Sequence, residues 1–145
     1  MVRRDIIDIV QDLGLLFENQ VGMTTNGSLL SRRLPKLFDA GLSHLNISLD
    51  SLVPVKNEFM TRRPDTSKVV LKALDQAFEI GFAKGNVKLN VVAMKGFNCD
   101  EFADFAALTK EMPVDVRFIE FMPFADNDWS TKKFIPMDEI LAKIR

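Results

Sequence analysis

The sequence predicts an α/β fold in which parallel strands alternate with helices. Apolar residues spaced three or four apart mark helices, and apolar residues spaced two apart mark strands. The two patterns alternate four times, and such repeats form parallel sheets with right-handed crossovers. A barrel, a partial barrel and an open doubly wound sheet all fit this order. The 145 residues are the size of one domain, so a single domain is expected over residues 1–145.

Each element is predicted from its own pattern. Helices are expected over residues 4–18, 29–40 and 101–111, from a cap at Asp65, Thr66 or Ser67 to near Gly81, and from about Met137. Strands are expected over residues 20–25, 44–50, 86–93 and 115–122. The segment 51–65 is expected to be a longer connection that holds one helical turn.

The first three predicted strands each carry a polar face. In residues 44–50, Leu45, Ile47 and Leu49 share one face, and polar side chains alternate with them. The polar faces of the three strands carry Gly22, Thr24, Asn26, His44, Asn46, Ser48, Asp50, Lys88 and Asn90. Because helices are expected on the apolar side, these polar faces can line a barrel that is wide enough for a ligand.

An open antiparallel sheet with one solvated face would give the same alternation. Lys88 distinguishes the two interpretations, since a buried lysine must be paired or solvated and a ligand phosphate would pair it.

Ligands of parallel α/β folds bind at the carboxyl ends of the strands. This places four polar residues near the mouth: Thr24, Asn26, Ser48 and Asp50.

Composition narrows the functional classes. The 19 basic and 20 acidic residues give a net charge of -1, which argues against a broad nucleic-acid surface. The apolar runs are too short for a membrane span. Cys99 and His44 are the single cysteine and histidine, so no metal or iron–sulfur ligand set is expected within this chain. The two common phosphate-binding glycine motifs do not occur.

Four motifs resemble those of a known enzyme family. They are "MTTNG" (23–27), "LSHLNISLDSL" (42–52), "VKLNVVAMKGFN" (87–98) and "DVRFIEFMPF" (115–124). In this order and spacing they resemble the MoaA-type radical S-adenosylmethionine enzymes, the GTP 3′,8-cyclases of molybdenum cofactor biosynthesis. The similarity runs from about Arg3 to Arg145, and with Trp129 it is closer to the eukaryotic, mitochondrial branch.

The resemblance implies a fold and a chemistry. The expected fold is α/β, with parallel βα units forming part of an open, partial TIM-type radical SAM barrel. In this family a 4Fe–4S cluster cleaves S-adenosylmethionine, and the resulting radical takes the 3′ hydrogen from the ribose of GTP. Ring closure onto the guanine C8 position gives 3′,8-cyclo-7,8-dihydro-GTP.

The resemblance also implies binding residues, although no catalytic residue. Ser48 and Met122 match the family's contacts to S-adenosylmethionine, and Thr24 and Lys88 match its contacts to GTP. Arg117 is a candidate second basic GTP contact. Met122 and Arg117 are out of phase on a regular strand, so a backbone contact is expected from Met122.

The family's cluster motif C-x-x-x-C-x-x-C and its Gly-Gly-Glu-Pro motif precede the part that this chain resembles, and its C-terminal cysteines follow it. The chain is therefore expected to be an incomplete barrel, inactive alone, whose partner is the remainder of the same enzyme or a second copy.

A mitochondrial matrix location is expected for a eukaryotic source, and a cytoplasmic one otherwise. Two alternatives are another radical SAM subfamily, such as a peptide modifier, and a non-catalytic barrel that binds a nucleotide or a partner chain. The roles of Cys99 and His44 stay open.

Overall fold

The computed structural model describes residues 3–18, 20–122 and 132–145. The helices in these ranges are α1 (Ile6–Leu16), α2 (Leu30–Asp39), α3 (Pro54–Thr61), α4 (Thr66–Glu79), α5 (Phe102–Glu111) and α6 (Met137–Ile144). The strands are β1 (Val21–Thr25), β2 (Leu42–Ser48), β3 (Val87–Ala93) and β4 (Asp115–Glu120). Pro123, Phe124 and Trp129, which belong to the motifs above, lie outside the described residues.

The four strands form one parallel sheet in the order β1-β2-β3-β4. This confirms the α/β prediction and excludes the antiparallel alternative. Among the described strands, β1 and β4 each pair on one side only, so the sheet is not closed.

The apolar side chains of the sheet lie under the helices. Leu45 and Ile47 of β2 and Leu89 of β3 are fully buried there, and α2 and α4 cover them. Buried side chains from the other helices join the same side of the sheet: Val10, Phe102, Phe105 and Ile140. The opposite side, which we call the open face, carries the polar residues of the strands. None of the helices within the described residues could span a membrane.

Two local predictions are wrong. The segment after β2 forms α3 with eight residues, which is more than one turn, and it begins with Pro54, a residue that suits the first helical position. Asp65 is the residue before α4, but its side chain makes no capping hydrogen bond and its φ is 54°. In addition, β2 begins at Leu42, before the predicted start.

Gly27 lies in the turn between β1 and α2, where there is no room for a side chain. Its φ is +72°, and an added Cβ would lie 2.6 Å from Cγ2 of Val70. We expect Gly27→Ala to lower the free energy of unfolding by about 3 kcal/mol, because left-handed strain and steric overlap add. Chemical denaturation measures this loss. Gly96→Ala is the control, since its φ is +73° with no atom within 4 Å of the added Cβ. Equal losses of unfolding free energy in the two variants would contradict a steric overlap at Gly27.

Candidate functional site

The strand register arranges the open face into rows that cross the sheet. The first row consists of Thr24, Asn46, Lys88 and Asp115. The second row consists of Ser48, Asn90 and Arg117. Neighbouring strands are about 4.8 Å apart, and successive residues on one face are about 6.6 Å apart. Four of the five predicted binding residues therefore lie on one face, in two adjacent rows.

The first row places a hydroxyl group on β1 and an ammonium group on β3, with Asn46 of β2 between them. Nδ2 of Asn46 donates a hydrogen bond to Oγ1 of Thr24 at 3.4 Å. The side chain of Lys88 is half-buried, and its ammonium group forms no ion pair with a described residue. An anionic ligand on this face would supply the missing counter-charge.

The second row combines a hydroxyl, an amide and a guanidinium group. Ser48 and Arg117 are exposed at the two ends of the row, and Asn90 lies between them. Oδ1 of Asn90 is buried and accepts no hydrogen bond from a described residue. A buried acceptor without a donor costs about 1–3 kcal/mol, so this atom fits a ligand that donates a hydrogen bond.

Met122 lies apart from the two rows. It follows the end of β4 and lines a cavity of about 380 Å³ with Asp50, Val92 and Ile119 at the carboxyl ends of the strands. Since β4 ends at Glu120, strand alternation does not fix the direction of Met122, and the phase conflict with Arg117 does not arise. Its side chain is 49% exposed.

Asn98 joins the ends of β2 and β3. Its Nδ2 donates to the carbonyl oxygens of Asp50 at 2.7 Å and Val92 at 2.8 Å. Its Oδ1 accepts a hydrogen bond from the backbone N–H of Met94 at 2.8 Å. The side chain is fully buried, so these bonds fix the positions of the ends of β2 and β3 relative to each other. These strand ends form part of the mouth of the open face.

Glu101 fixes the loop that leads from β2 into α3. Its buried carboxylate accepts hydrogen bonds from Oγ of Ser51 at 2.9 Å, from the N–H of Leu52 at 2.7 Å and from the N–H of Val53 at 3.2 Å. The ammonium group of Lys56 lies 3.0 Å from it and neutralises it. The sequence predicted no role for Asn98 or Glu101, since the bonds from Asn98 to Asp50 and from Ser51 to Glu101 span 48 and 50 positions.

Asp50 was placed near the mouth by the sequence. Its Oδ1 accepts a hydrogen bond from the N–H of Val92 on β3 at 2.8 Å. Burial raises the pKa of the Asp50 carboxyl above its usual value, and the hydrogen bond from Val92 offsets part of that rise. The carboxylate therefore lies where its charged form is disfavoured.

A stability measurement tests this description of Asp50. A carboxyl whose pKa is raised by folding contributes stability at low pH that is lost as the pH rises through the folded-state pKa. We therefore expect Asp50→Asn to be more stable than the wild type at pH 7, with the difference shrinking toward pH 3. The asparagine Oδ1 can still accept the hydrogen bond from Val92. Denaturation across this pH range gives the difference; a constant difference, or one matched by the exposed control Asp75→Asn, would contradict it.

A larger groove of about 670 Å³ lies at the opposite, amino ends of β3 and β4. It is lined by charged side chains that include Lys84, Lys110 and Glu111. None of the five predicted binding residues lines it, so the candidate site is the open face and its mouth.

Residues 1–109, more than half of the chain, match the family model of the radical SAM superfamily. The chain belongs to the radical SAM superfamily. This superfamily is built on a TIM-type barrel, and the unclosed parallel sheet described above agrees with such a barrel.

Several curated proteins are similar to this radical SAM chain. It is 47% identical over 144 residues to "GTP 3′,8-cyclase, mitochondrial" of Arabidopsis thaliana, covering 99% of the chain and 36% of the relative. It is 49% identical over 146 residues to human "Molybdenum cofactor biosynthesis protein 1", covering 100% and 22%. A "GTP 3′,8-cyclase" of Peptoclostridium acidaminophilum is 43% identical over 150 residues, covering 99% and 44%. The chain thus spans less than half the length of these relatives.

Radical SAM proteins use S-adenosylmethionine and 4Fe–4S clusters. The unpaired Oδ1 of Asn90 and the hydroxyl of Ser48 fit a ligand with hydrogen-bond donors, such as S-adenosylmethionine. The side chains do not fit a cluster. The chain has one cysteine, and its described residues contain no group of three or more His, Cys, Asp or Glu that could hold a metal.

Proposed function

We propose that this chain is part of a GTP 3′,8-cyclase, which converts GTP to 3′,8-cyclo-7,8-dihydro-GTP in molybdenum cofactor biosynthesis. The observation that carries the proposal is the identity of 43% to 49% over at least 99% of the chain with relatives that bear these names. The open face supports it, because a basic, hydroxyl-bearing surface at parallel strands suits a nucleotide.

The binding residues are proposed as follows. Lys88 and Arg117 pair with phosphate oxygens of GTP, since both residues lie on the open face with their Cα atoms about 8 Å apart. Thr24 contacts GTP from the neighbouring part of the first row. Ser48 and Met122 contact S-adenosylmethionine nearer the mouth, where the cavity beside Met122 begins. The bound S-adenosylmethionine supplies the radical that takes hydrogen from GTP.

Residues 1–145 are proposed to be one incomplete barrel domain of a larger assembly. Large apolar side chains at the end of α1 support this, since Leu15 is 81%, Leu16 74% and Phe17 60% exposed. The edges of β1 and β4, which have no further described partner, also support it. The proposed partner is the remainder of the same enzyme or a second copy. A mitochondrial matrix location is proposed because the Arabidopsis relative is named mitochondrial.

The direct test uses the intact protein that contains this chain, with its clusters reconstituted, a reductant, S-adenosylmethionine and GTP. Mass spectrometry should detect 5′-deoxyadenosine together with the cyclised nucleotide. GTP binding without either product would indicate a non-catalytic nucleotide-binding barrel. Formation of 5′-deoxyadenosine without GTP binding would indicate another radical SAM subfamily.

A second measurement concerns the 145 residues by themselves. Because the chain has a single cysteine, we expect reconstitution with iron and sulfide to yield no stable cluster. The absorption spectrum after removal of unbound iron should lack the 4Fe–4S band. A stable band equivalent to one cluster per chain would contradict this expectation. The intact protein, treated identically, is the positive control.

A further inference from the structure

Helix α3 turns large apolar side chains toward the surface of the molecule. Val55 is 76% exposed and Phe59 is 78% exposed. The two residues are four positions apart, so they share one face of the helix. Asn57, on the opposite side, is the residue of α3 that is buried. The helix thus buries a polar side chain and exposes apolar ones, which is the reverse of the usual order for a surface helix.

The apolar face of α3 continues into the loop between β3 and α5. The rings of Phe59 and Phe97 form a pair with centroids 6.4 Å apart. Beside this pair lies a cavity of about 360 Å³, whose lining includes Met60 and Met94. We call Val55, Phe59 and Phe97, together with this cavity, the α3 patch. Aromatic and methionine side chains are enriched at protein interfaces, so the α3 patch has the composition of a contact with another chain.

Two opposite charges lie on the same face of α3. Glu58 and Arg62 are both exposed, and neither forms an ion pair with a described residue. The backbone N–H of Arg62 donates to the carbonyl oxygen of Glu58 at 2.8 Å, so the two residues are one helical turn apart. At 3.6 residues per turn, both positions fall on the face that carries Val55 and Phe59. Apolar and charged residues therefore alternate along this face.

This order of residues is complementary to itself. When two copies of α3 pack antiparallel about a two-fold axis between Glu58 and Phe59, Val55 of each copy lies next to Phe59 of the other. The same axis brings Glu58 of each copy within one helical turn of Arg62 of the other. A two-fold contact requires such a pattern, because the same surface meets itself. The charges thus favour a second copy over the remainder of the enzyme as the partner at the α3 patch.

We propose that the α3 patch is an interface with a second copy of this chain, in which the two α3 helices pack antiparallel. The proposal rests on the proposed function in one respect, since it selects one of the two partners named there. Met60 and Met94 line both the cavity of the α3 patch and the cavity at the mouth, so the second copy borders the candidate site.

The small size of the α3 patch sets the expected strength of the contact. The eight residues of α3 span about 12 Å, so the buried area falls at the low end for specific complexes, below about 1,200 Å². We therefore expect a reversible dimer whose population rises with protein concentration. Sedimentation velocity of the intact protein over a range of concentrations gives the dissociation constant of this dimer.

Charge reversal tests the pairing across the two-fold axis. Glu58→Arg and Arg62→Glu should each weaken the dimer about tenfold, because two attractive contacts become repulsive. The double variant with both changes restores opposite charges and should dimerise like the wild type. A mixture of the two single variants, one of them fluorescently labelled, should form a mixed dimer, since each supplies the charge that the other now needs.

Further variants test the apolar part and control for charge. Phe59→Ser should weaken the dimer about 30-fold, because aromatic side chains near the centre of an interface contribute most to binding. Glu79→Arg and Lys72→Glu reverse exposed charges on α4, away from the α3 patch, and should leave the dissociation constant unchanged. Melting curves show whether each variant keeps the fold.

Three results would overturn the proposal. The first is an intact protein that stays monomeric at millimolar concentration; conversion of GTP by that monomer would leave the proposed function in place. The second is a dimer with the same dissociation constant in the wild type and Glu58→Arg, which would place the interface elsewhere. The third is the absence of mixed dimers, as expected when the remainder of the enzyme covers the α3 patch. A dimer that responds to the variants supports the interface whether or not the intact protein converts GTP.

Discussion

Replacement of Lys88 by methionine is expected to weaken GTP binding about 30-fold, which corresponds to about 2 kcal/mol. The half-buried ammonium group has no ion pair with a described residue, so a phosphate of GTP is its proposed counter-ion. Methionine keeps the apolar stem of the side chain and removes only the charge. Isothermal titration of the intact protein with GTP measures the loss.

Lys72→Met is the matched control for Lys88→Met. Lys72 is exposed on α4, away from the open face, and its loss should leave the GTP affinity unchanged. S-adenosylmethionine binding should be the same in both variants, since Lys88 is in the first row and the predicted S-adenosylmethionine contacts lie nearer the mouth. Equal GTP affinity in the wild type and Lys88→Met would contradict the role of Lys88.

Glu101→Ala is expected to reduce the free energy of unfolding by about 4 kcal/mol. The substitution removes the acceptor for Ser51 Oγ and for the N–H groups of Leu52 and Val53. It also removes one of the two carboxylates that pair with Lys56. Because Glu101 is only 2% exposed, water cannot replace these bonds without opening the loop. Denaturant unfolding measures the effect.

Two further variants distinguish the buried network from a general effect of charge. Glu101→Gln keeps one acceptor oxygen and loses the charge, so we expect a loss smaller than that of Glu101→Ala. Glu79→Ala, at the exposed end of α4, should change the free energy of unfolding by less than about 0.5 kcal/mol. A Glu101→Ala loss no larger than that of the control would show that the network does not stabilise the fold.

The sheet was predictable because apolar and polar residues alternate along a strand when only one of its faces is buried. Leu45, Ile47 and Leu49 marked β2 and its buried side, and the polar residues between them marked the open face. The helix α3 was underestimated, since its eight residues bury only Asn57 and carry no apolar stripe facing the core. The predicted cap at Asp65 makes no capping hydrogen bond, and its left-handed φ of 54° differs from the extended backbone usual for a capping residue.

The candidate site was predictable in part. Strand alternation alone placed Thr24, Ser48 and Lys88 on one face, and the family resemblance gave them roles that stay predictions. The bonds that join Asn98 to Asp50 and Glu101 to Ser51 could not be predicted, because hydrogen bonds across 48 and 50 positions leave no local pattern. The hydrogen bond from Val92 N–H to Oδ1 of Asp50 could not be predicted either, since it joins residues 42 positions apart.

Photolabelling of the intact protein with 8-azido-GTP, followed by peptide mapping, tests most directly whether the open face is the GTP site. We expect GTP to compete for the label, and the label to lie in peptides of β1 to β4 that carry the first and second rows, such as those with Lys88 and Arg117. Labelling confined to the helices, or to the groove at the amino ends of β3 and β4 beside Lys84, would contradict the assignment of the open face.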